Sequence, residues 1–241
     1  MDRGLYIAAS GMLAELTRQD QIANDLANAS TPGYKPDNSS QEAFGQVLVA
    51  NTATGQPIGT IGLGARITAT TTNMNPTPLS ETGNSLDLGI DGQVFFAVKT
   101  ATGTRYTRDG QLEVDPSGRL QTATGYVVLD TANQPIQVGS SDGLTFAGNG
   151  AVTRNGKKIA TLAVVSLTSP VKQGGTLFAG TAGPRPQGAA VRQGFLEGSG
   201  VNATTAMVQM LTSLRTYQSD QQAIQAIDET LKSGIQAGGL T

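Results

Sequence analysis

Apolar side chains recur along this chain with two different periods. From Leu5 onward, Leu5, Ala9, Met12, Leu16, Gln19, Ala23 and Leu26 alternate steps of four and three, and Leu13 and Ile22 widen the stripe. This is the spacing of a helix with one narrow apolar seam. Towards the other end Ala203, Met207, Met210, Leu214, Tyr217, Gln221, Ile224 and Leu231 repeat the alternation, with a break at Asp228. Asn202 stands where an N-cap is wanted, and Gly234 followed by Gly238-Gly239 weakens continuation. A helix cannot bury such a seam alone, so each terminal helix needs a partner, either its counterpart in the same chain or a neighbouring subunit. The neutral residues Thr212, Ser213, Thr216, Ser219 and Gln222 favour neighbours, because a solvated helix face more often carries opposite charges in that spacing.

The first helix is expected to stop within "QIANDLANASTPGYK", residues 21–35. Asn24 and Asn28 lie about one turn apart. Asn28 is expected to take the left-handed conformation that closes a helix, and Pro32-Gly33 to turn the chain. Asn24, Asn28, Pro32 and Gly33 therefore form the expected hinge.

Between the helices the period changes. Residues 36–80 are rich in Thr, Gly and Pro and read as extended arms, with Ile58, Ile61, Leu63 and Ile67 available for local docking. From Glu81 the pattern is that of short strands. "LDLGIDGQVFFAV" reads as a hairpin around Asp91-Gly92, and further turns are expected at Thr102-Gly103, Asp109-Gly110, Pro116-Ser117-Gly118, Thr124-Gly125 and Asn155-Gly156. The expected fold is α+β. Coiled-coil-like paired helices (1–35 and 199–241) carry an inserted antiparallel all-β domain (81–183) through extended connectors (36–80 and 184–198).

Composition removes most chemistry. With 16 Lys and Arg against 18 Asp and Glu, the net charge of -2 offers no basic footprint for nucleic acid or anionic lipid. The absence of Cys and His removes thiolate nucleophiles, disulfides and the usual metal and triad chemistry. No cofactor or metal site is expected. No segment approaches the ~20 apolar residues of a membrane span, so no membrane insertion is expected. The start of the chain lacks the pattern of a cleaved signal, and any export is expected to proceed without one. Charged residues are only 14% of the chain, against roughly 25% in typical soluble domains. Such a surface is buried against other proteins at modest desolvation cost. Asp87, Asp91, Asp109, Glu113 and Asp115 are the remaining catalytic candidates, as a carboxylate pair for glycoside hydrolysis. Asp91 and Asp109 precede Gly, and Asp115 precedes Pro-Ser-Gly, where Asp serves the turn itself. "GTIGLGAR" lacks the ending and the βαβ context of a phosphate loop. No catalytic residue is assigned.

The motifs together resemble the axial proteins of the bacterial flagellum, specifically the basal-body rod proteins that share a plan with the hook. "GLYIAASGM" and "DQIANDLANASTPGYK" are similar to that family's N-terminal signature, with Asp25 at the second Asn and Pro32 inserted before Gly33. "ETGNSLDLGIDGQVFFAV" and "YTRDGQLEVDPSGRLQTATGYVVL" resemble its β-domain motifs. "QGFLEGSGVNATTAMVQML" and "YQSDQQAIQAIDETL" resemble its C-terminal helix, with Gly200 where Asn is common. Within the family the distal-rod member is favoured, because "AIQAIDETL" is nearest to it, while the length of 241 and the opening "MDRGLY" fit the proximal-rod paralogue equally well.

The resemblance implies a subunit exported by the flagellar type III apparatus that polymerises with itself into a hollow helical rod outside the cytoplasmic membrane, in the periplasm or cell wall. It transmits torque from motor to hook and walls part of the export channel. Other rod proteins, the hook protein and surrounding ring proteins are the implied partners. Helix packing and the subunit interface are then expected at Leu5, Met12, Leu16, Ile22, Leu26, Met207, Met210, Leu214, Tyr217 and Ile224. The competing class is an extracellular carbohydrate-binding or carbohydrate-active β protein.

Overall fold

The computed structural model describes residues 2–43, 45–50, 56–62 and 64–239. Leu63 and the side chains of Ile58 and Ile61, expected to dock an arm, lie outside what it describes. In chain order the elements begin with α1 (Asp2–Ala27), β1 (Asp37–Ala43), β2 (Gln46–Ala50), β3 (Pro57–Gly62), β4 (Ala65–Thr72) and β5 (Leu79–Glu81). Next come β6 (Leu88–Asp91), β7 (Phe95–Thr100), β8 (Gly103–Thr107), β9 (Leu112–Val114), β10 (Leu120–Thr122), β11 (Val127–Val128) and β12 (Leu144–Phe146). The last are β13 (Ala151–Arg154), β14 (Lys157–Thr161), β15 (Val164–Gly174), β16 (Leu177–Gly183), β17 (Ala190–Gln193), β18 (Phe195–Glu197) and α2 (Ala203–Gly238). The class is α+β, with a helix at each end and antiparallel strands between. The chain divides into two units, residues 1–27 with 37–71 and 203–241, and residues 28–36 with 72–202.

In the first unit α1 packs antiparallel on α2. A methyl group at Gly4 would sit 3.3 Å from Ile227 Cδ1, one at Gly11 would sit 2.8 Å from Asp220 Oδ2, and the Ser213 hydroxyl donates to Glu15. The buried residues of the pair are Ser10, Ala14, Glu15, Ile22 and Asp25 on α1 and Ala206 and Ser213 on α2. Small residues on the facing sides let the two backbones approach. The pairing stripe on α2 includes Ala206, Ser213, Asp220 and Ile227, so that the expected Met207 and Leu214 lie one position from it. Gly234 does not end α2, which continues to Gly238. The 37–72 region holds two antiparallel pairs, β1 with β4 and β2 with β3.

The second unit is built around β7. Phe95, Phe96, Ala97 and Val98 are all buried, a continuous apolar run that belongs to a strand covered on both faces. β7 pairs with β8, β11 and β15, while β15 also pairs with β16 and β16 with β8, so β7, β8, β16 and β15 close a ring. The expected hairpin at Asp91-Gly92 does not form. β6 pairs with β17 instead, Ile90 opposite Val191, because β7 has its edges occupied by other strands. Hairpins do form at Thr102-Gly103, Pro116-Ser117-Gly118, Thr124-Gly125 and Asn155-Gly156. Asn155 (φ 49) and Gly156 (φ 79) both adopt the positive φ of the tight turn that Asn-Gly favours.

Candidate functional site

The helices present large apolar side chains that their mutual packing leaves uncovered. Leu5, Tyr6, Leu13 and Leu16 on α1, with Met207, Val208, Leu211 and Leu214 on α2, are 39–67% exposed. Among the expected interface residues, Leu5, Leu16, Met207 and Leu214 thus stand outward. Met12, Leu26, Met210, Tyr217 and Ile224 are half-buried, and Ile22 is buried. Large apolar residues left exposed on both helices in this way are characteristic of surfaces that another protein covers. The polar half of the α1–α2 contact had no sequence signal beyond the neutral residues on α2. Glu15 accepts from Ser213, and burial together with the Glu15 charge holds the Asp220 carboxyl above its usual range.

The second feature is the segment that follows α1. α1 ends at Ala27, and Asn28 is not left-handed, since its φ is not positive; the Thr31 amide (3.1 Å) and hydroxyl (3.2 Å) donate to its carbonyl and its side chain. The left-handed position belongs to Gly33, at φ 66. The Gly33 amide donates to the Glu197 carbonyl at 2.9 Å, and a methyl group there would lie 2.4 Å from the Arg108 carbonyl carbon. Tyr34 is wholly buried, and its carbonyl accepts from the Gly200 amide at 2.9 Å. Ser199 Oγ donates to the Asn28 carbonyl at 2.9 Å. Of the four expected hinge residues, Asn28 and Gly33 make these contacts. Pro32 precedes the bend, and Asn24 is exposed on α1.

Lys35 leads into a buried charge cluster that sequence reasoning missed. Its Nζ donates to Glu197 Oε1 at 2.8 Å and to the Asn75 carbonyl at 2.6 Å. Glu197 also accepts from Arg108 Nε at 2.6 Å and from the Thr77 amide (2.9 Å) and hydroxyl (3.0 Å). Arg108 Nη1 donates to the Val94 carbonyl at 2.9 Å and its guanidinium lies 5.6 Å from the Phe95 ring centre, while Nη2 has no hydrogen-bond partner. Two cations thus face one carboxylate. Burial alone would raise the Glu197 pKa, but Arg108, Lys35 and the Thr77 amide outweigh it and hold the group below the usual carboxylate range. Burial lowers Lys35, with Glu197 opposing and Arg108 adding to the shift. Lys172 Nζ donates to the Lys35 carbonyl at 2.7 Å and sits 4.0 Å from the Tyr34 ring centre.

The carboxylates considered as catalysts each have structural partners. Asp115 caps its turn, accepting from the Arg119 amide (2.8 Å) and Nε (2.7 Å). Asp91 pairs with Arg192 at 3.2 Å, Glu113 accepts from Gln121 at 2.6 Å, and Asp87 accepts from Thr82 (2.7 Å) and Asn84 (3.1 Å). Asp109 is buried in a loop, its carboxylate accepting from the Gln111 amide at 3.0 Å. Burial raises its pKa to about 6, the Gln111 amide opposing and the Asp87 charge contributing in the same direction. The folded value lies above the unfolded one, so the stability Asp109 contributes is fully present below about 3.8 and is lost as pH rises through about 6. Asp109→Asn keeps an acceptor for Gln111 without the charge. It is expected to stabilise the protein by about 2–3 kcal/mol at pH 8 and to flatten the stability profile through that window. Thermal melts across that pH range check this, and an unchanged profile contradicts it.

A helix pair with uncovered apolar surfaces, in a chain whose β unit uses its polar groups for its own folding, fits a structural subunit of an assembly. Comparison with known proteins makes this specific. The family described as "Flagella basal body rod protein" matches residues 5–35, "Flagellar hook protein FlgE/F/G D1 domain" matches 89–157, and "Flagellar basal body rod FlgEFG protein C-terminal" matches 192–237. The chain is 31% identical to the flagellar basal-body rod protein FlgG of Bacillus subtilis, over 96% of this chain and 97% of that protein. It is 31% identical to FlgF of Escherichia coli, over 95% of each chain, and 28% identical to FlgF of Caulobacter vibrioides, over 99% of each. The chain belongs to the flagellar basal-body rod protein family and is a structural subunit of the rod in the basal body. The FlgG of Bacillus subtilis and the FlgF of Escherichia coli match this chain at the same identity. Among the described residues no helix is long and apolar enough to cross a membrane.

Proposed function

We propose that the terminal helices are the polymerising element of this rod subunit, forming the inner, coiled-coil-like layer of a hollow tube, with the β unit as its outer layer. The observation that carries the reading is the exposure of Leu5, Leu13, Leu16, Met207, Val208, Leu211 and Leu214 on a helix pair that is already packed together through other residues, Gly4, Gly11, Glu15 and Ser213 among them. Full burial of each such side chain contributes about 1.5–3 kcal/mol, so a neighbour that covers several of these half-exposed residues adds part of that for each. The type III export apparatus passes the chain outward. The tube walls part of the export channel and carries torque towards the hook, with other rod proteins, the hook protein and surrounding rings as its contacts.

Two outcomes test this. Leu214→Lys or Met210→Lys places a charge on the helical layer and is expected to abolish polymerisation while leaving the melting of the β unit unchanged; electron microscopy of normal filaments from either variant contradicts the reading. Because the seams are completed by neighbours, residues 5–28 of the dilute monomer are expected to exchange amide hydrogens rapidly and to become protected on assembly. Full protection in the monomer contradicts coupled folding.

A further inference from the structure

In the first unit a groove of about 460 Å³ runs between α1 and β4, lined by Tyr6, Ala9, Leu13, Ala14, Ala65 and Ile67, with Arg66 the one charged side chain among the described residues that line it. On α2 the uncovered residues Met207, Val208, Leu211 and Leu214 form a ridge, and no charged residue occurs from Ala203 to Leu214. We propose that this groove receives the α2 ridge of a second copy of the chain, an inference that rests on the rod-subunit reading and names its contact surface.

Helical spacing places groove and ridge on opposite outer sides of the pair. At 3.6 residues per turn, Tyr6, Ala9, Leu13 and Thr17 lie across α1 from Gly4, Gly11 and Glu15, which face α2. Likewise Met207, Leu211 and Leu214 lie well away from Ser213 and Asp220, which face α1. A chain therefore cannot place its own ridge in its own groove while its helices are paired, yet it gives with one side and receives with the other. Such a contact is heterologous. It leaves a free ridge and a free groove after every addition, which is the requirement for an open helical polymer and not for a closed dimer.

The cysteine-free sequence allows a direct test. Leu13→Cys and Leu211→Cys are carried on two separate full-length chains, co-expressed in cells in place of the native copy, and basal bodies are isolated after mild oxidation. The expected result is a disulfide-linked pair of chains formed only when both variants are present, because a disulfide demands Cα atoms roughly 4.4–6.8 Å apart. Rods that hold both chains without the mixed disulfide overturn the proposal, as does a disulfide in cells expressing Leu211→Cys alone, which would pair ridge with ridge. Absence of the unmodified chain from isolated basal bodies refutes the rod reading itself. A second pair, Thr17→Cys with Val208→Cys, reports the same contact and is decisive should either first variant be kept out of rods.

Discussion

Replacing Glu197 with Ala is expected to lower the stability of the β unit by about 3–5 kcal/mol, because it leaves Lys35 and Arg108 as buried cations without their carboxylate. For a unit of this size the melting temperature should fall on the order of 10 °C. The loss exceeds that of one salt bridge, since the Thr77 amide loses its acceptor as well, while the Thr77 hydroxyl keeps the Gly198 carbonyl at 2.7 Å. Glu197→Gln retains acceptors but not the charge and should fall between the two. The sign of the pH dependence follows from the depressed folded pKa of Glu197. Its contribution is present above the unfolded value of about 4.5 and disappears as pH falls through the lower folded value. The variant's deficit should therefore shrink in strong acid. Chemical denaturation at several pH values measures it, and a deficit under about 1 kcal/mol at neutral pH would show that the cluster is not holding the unit together.

Gly33→Ala is expected to be nearly as damaging. A left-handed φ costs an L-residue about 1–2 kcal/mol, and accommodating the added methyl against the Arg108 backbone costs about 1–3 kcal/mol more. Backbone cannot rotate away as a side chain does, so the bend between Thr31 and Lys35 must move, and the Gly33 amide then loses the Glu197 carbonyl. The expected destabilisation is about 2–5 kcal/mol. Gly125→Ala serves as the comparison, because its φ is also positive (87) but nothing lies within 4 Å of the added methyl. Equal losses in the two variants would mean that backbone conformation alone, without the close approach, sets the cost.

These two sites mark the limit of what sequence alone conveyed. Both terminal helices were legible from steps of three and four, and the turns at Asp115-Pro116-Ser117-Gly118 and Asn155-Gly156 from residues whose side chains or φ preferences act locally. The phase of the helix pairing was not, because α1 and α2 are apolar on more than one side. The contact between them uses Gly4, Gly11, Glu15 and Ser213, which a search for apolar stripes passes over. The Asp91-Gly92 hairpin failed for a related reason. Local turn chemistry does not reveal that β6 has a partner in β17, about a hundred residues further along the chain. The sharp boundary near Gly33 was visible, but the cause of "GYK" was not. Lys35 meets Glu197 across 162 residues of sequence, and nothing in either segment announces the other. The surplus of apolar and neutral residues on the helices was legible as a surface in need of cover, whereas the groove beside β4 required the fold.

The stretches entering and leaving the terminal helices are stitched to one another. Ser199 to Asn28, Gly33 to Glu197 and Gly200 to Tyr34 are three cross-links between residues 28–36 and 197–200. A load arriving along either strand is therefore shared between two covalent paths that are tied together at three points.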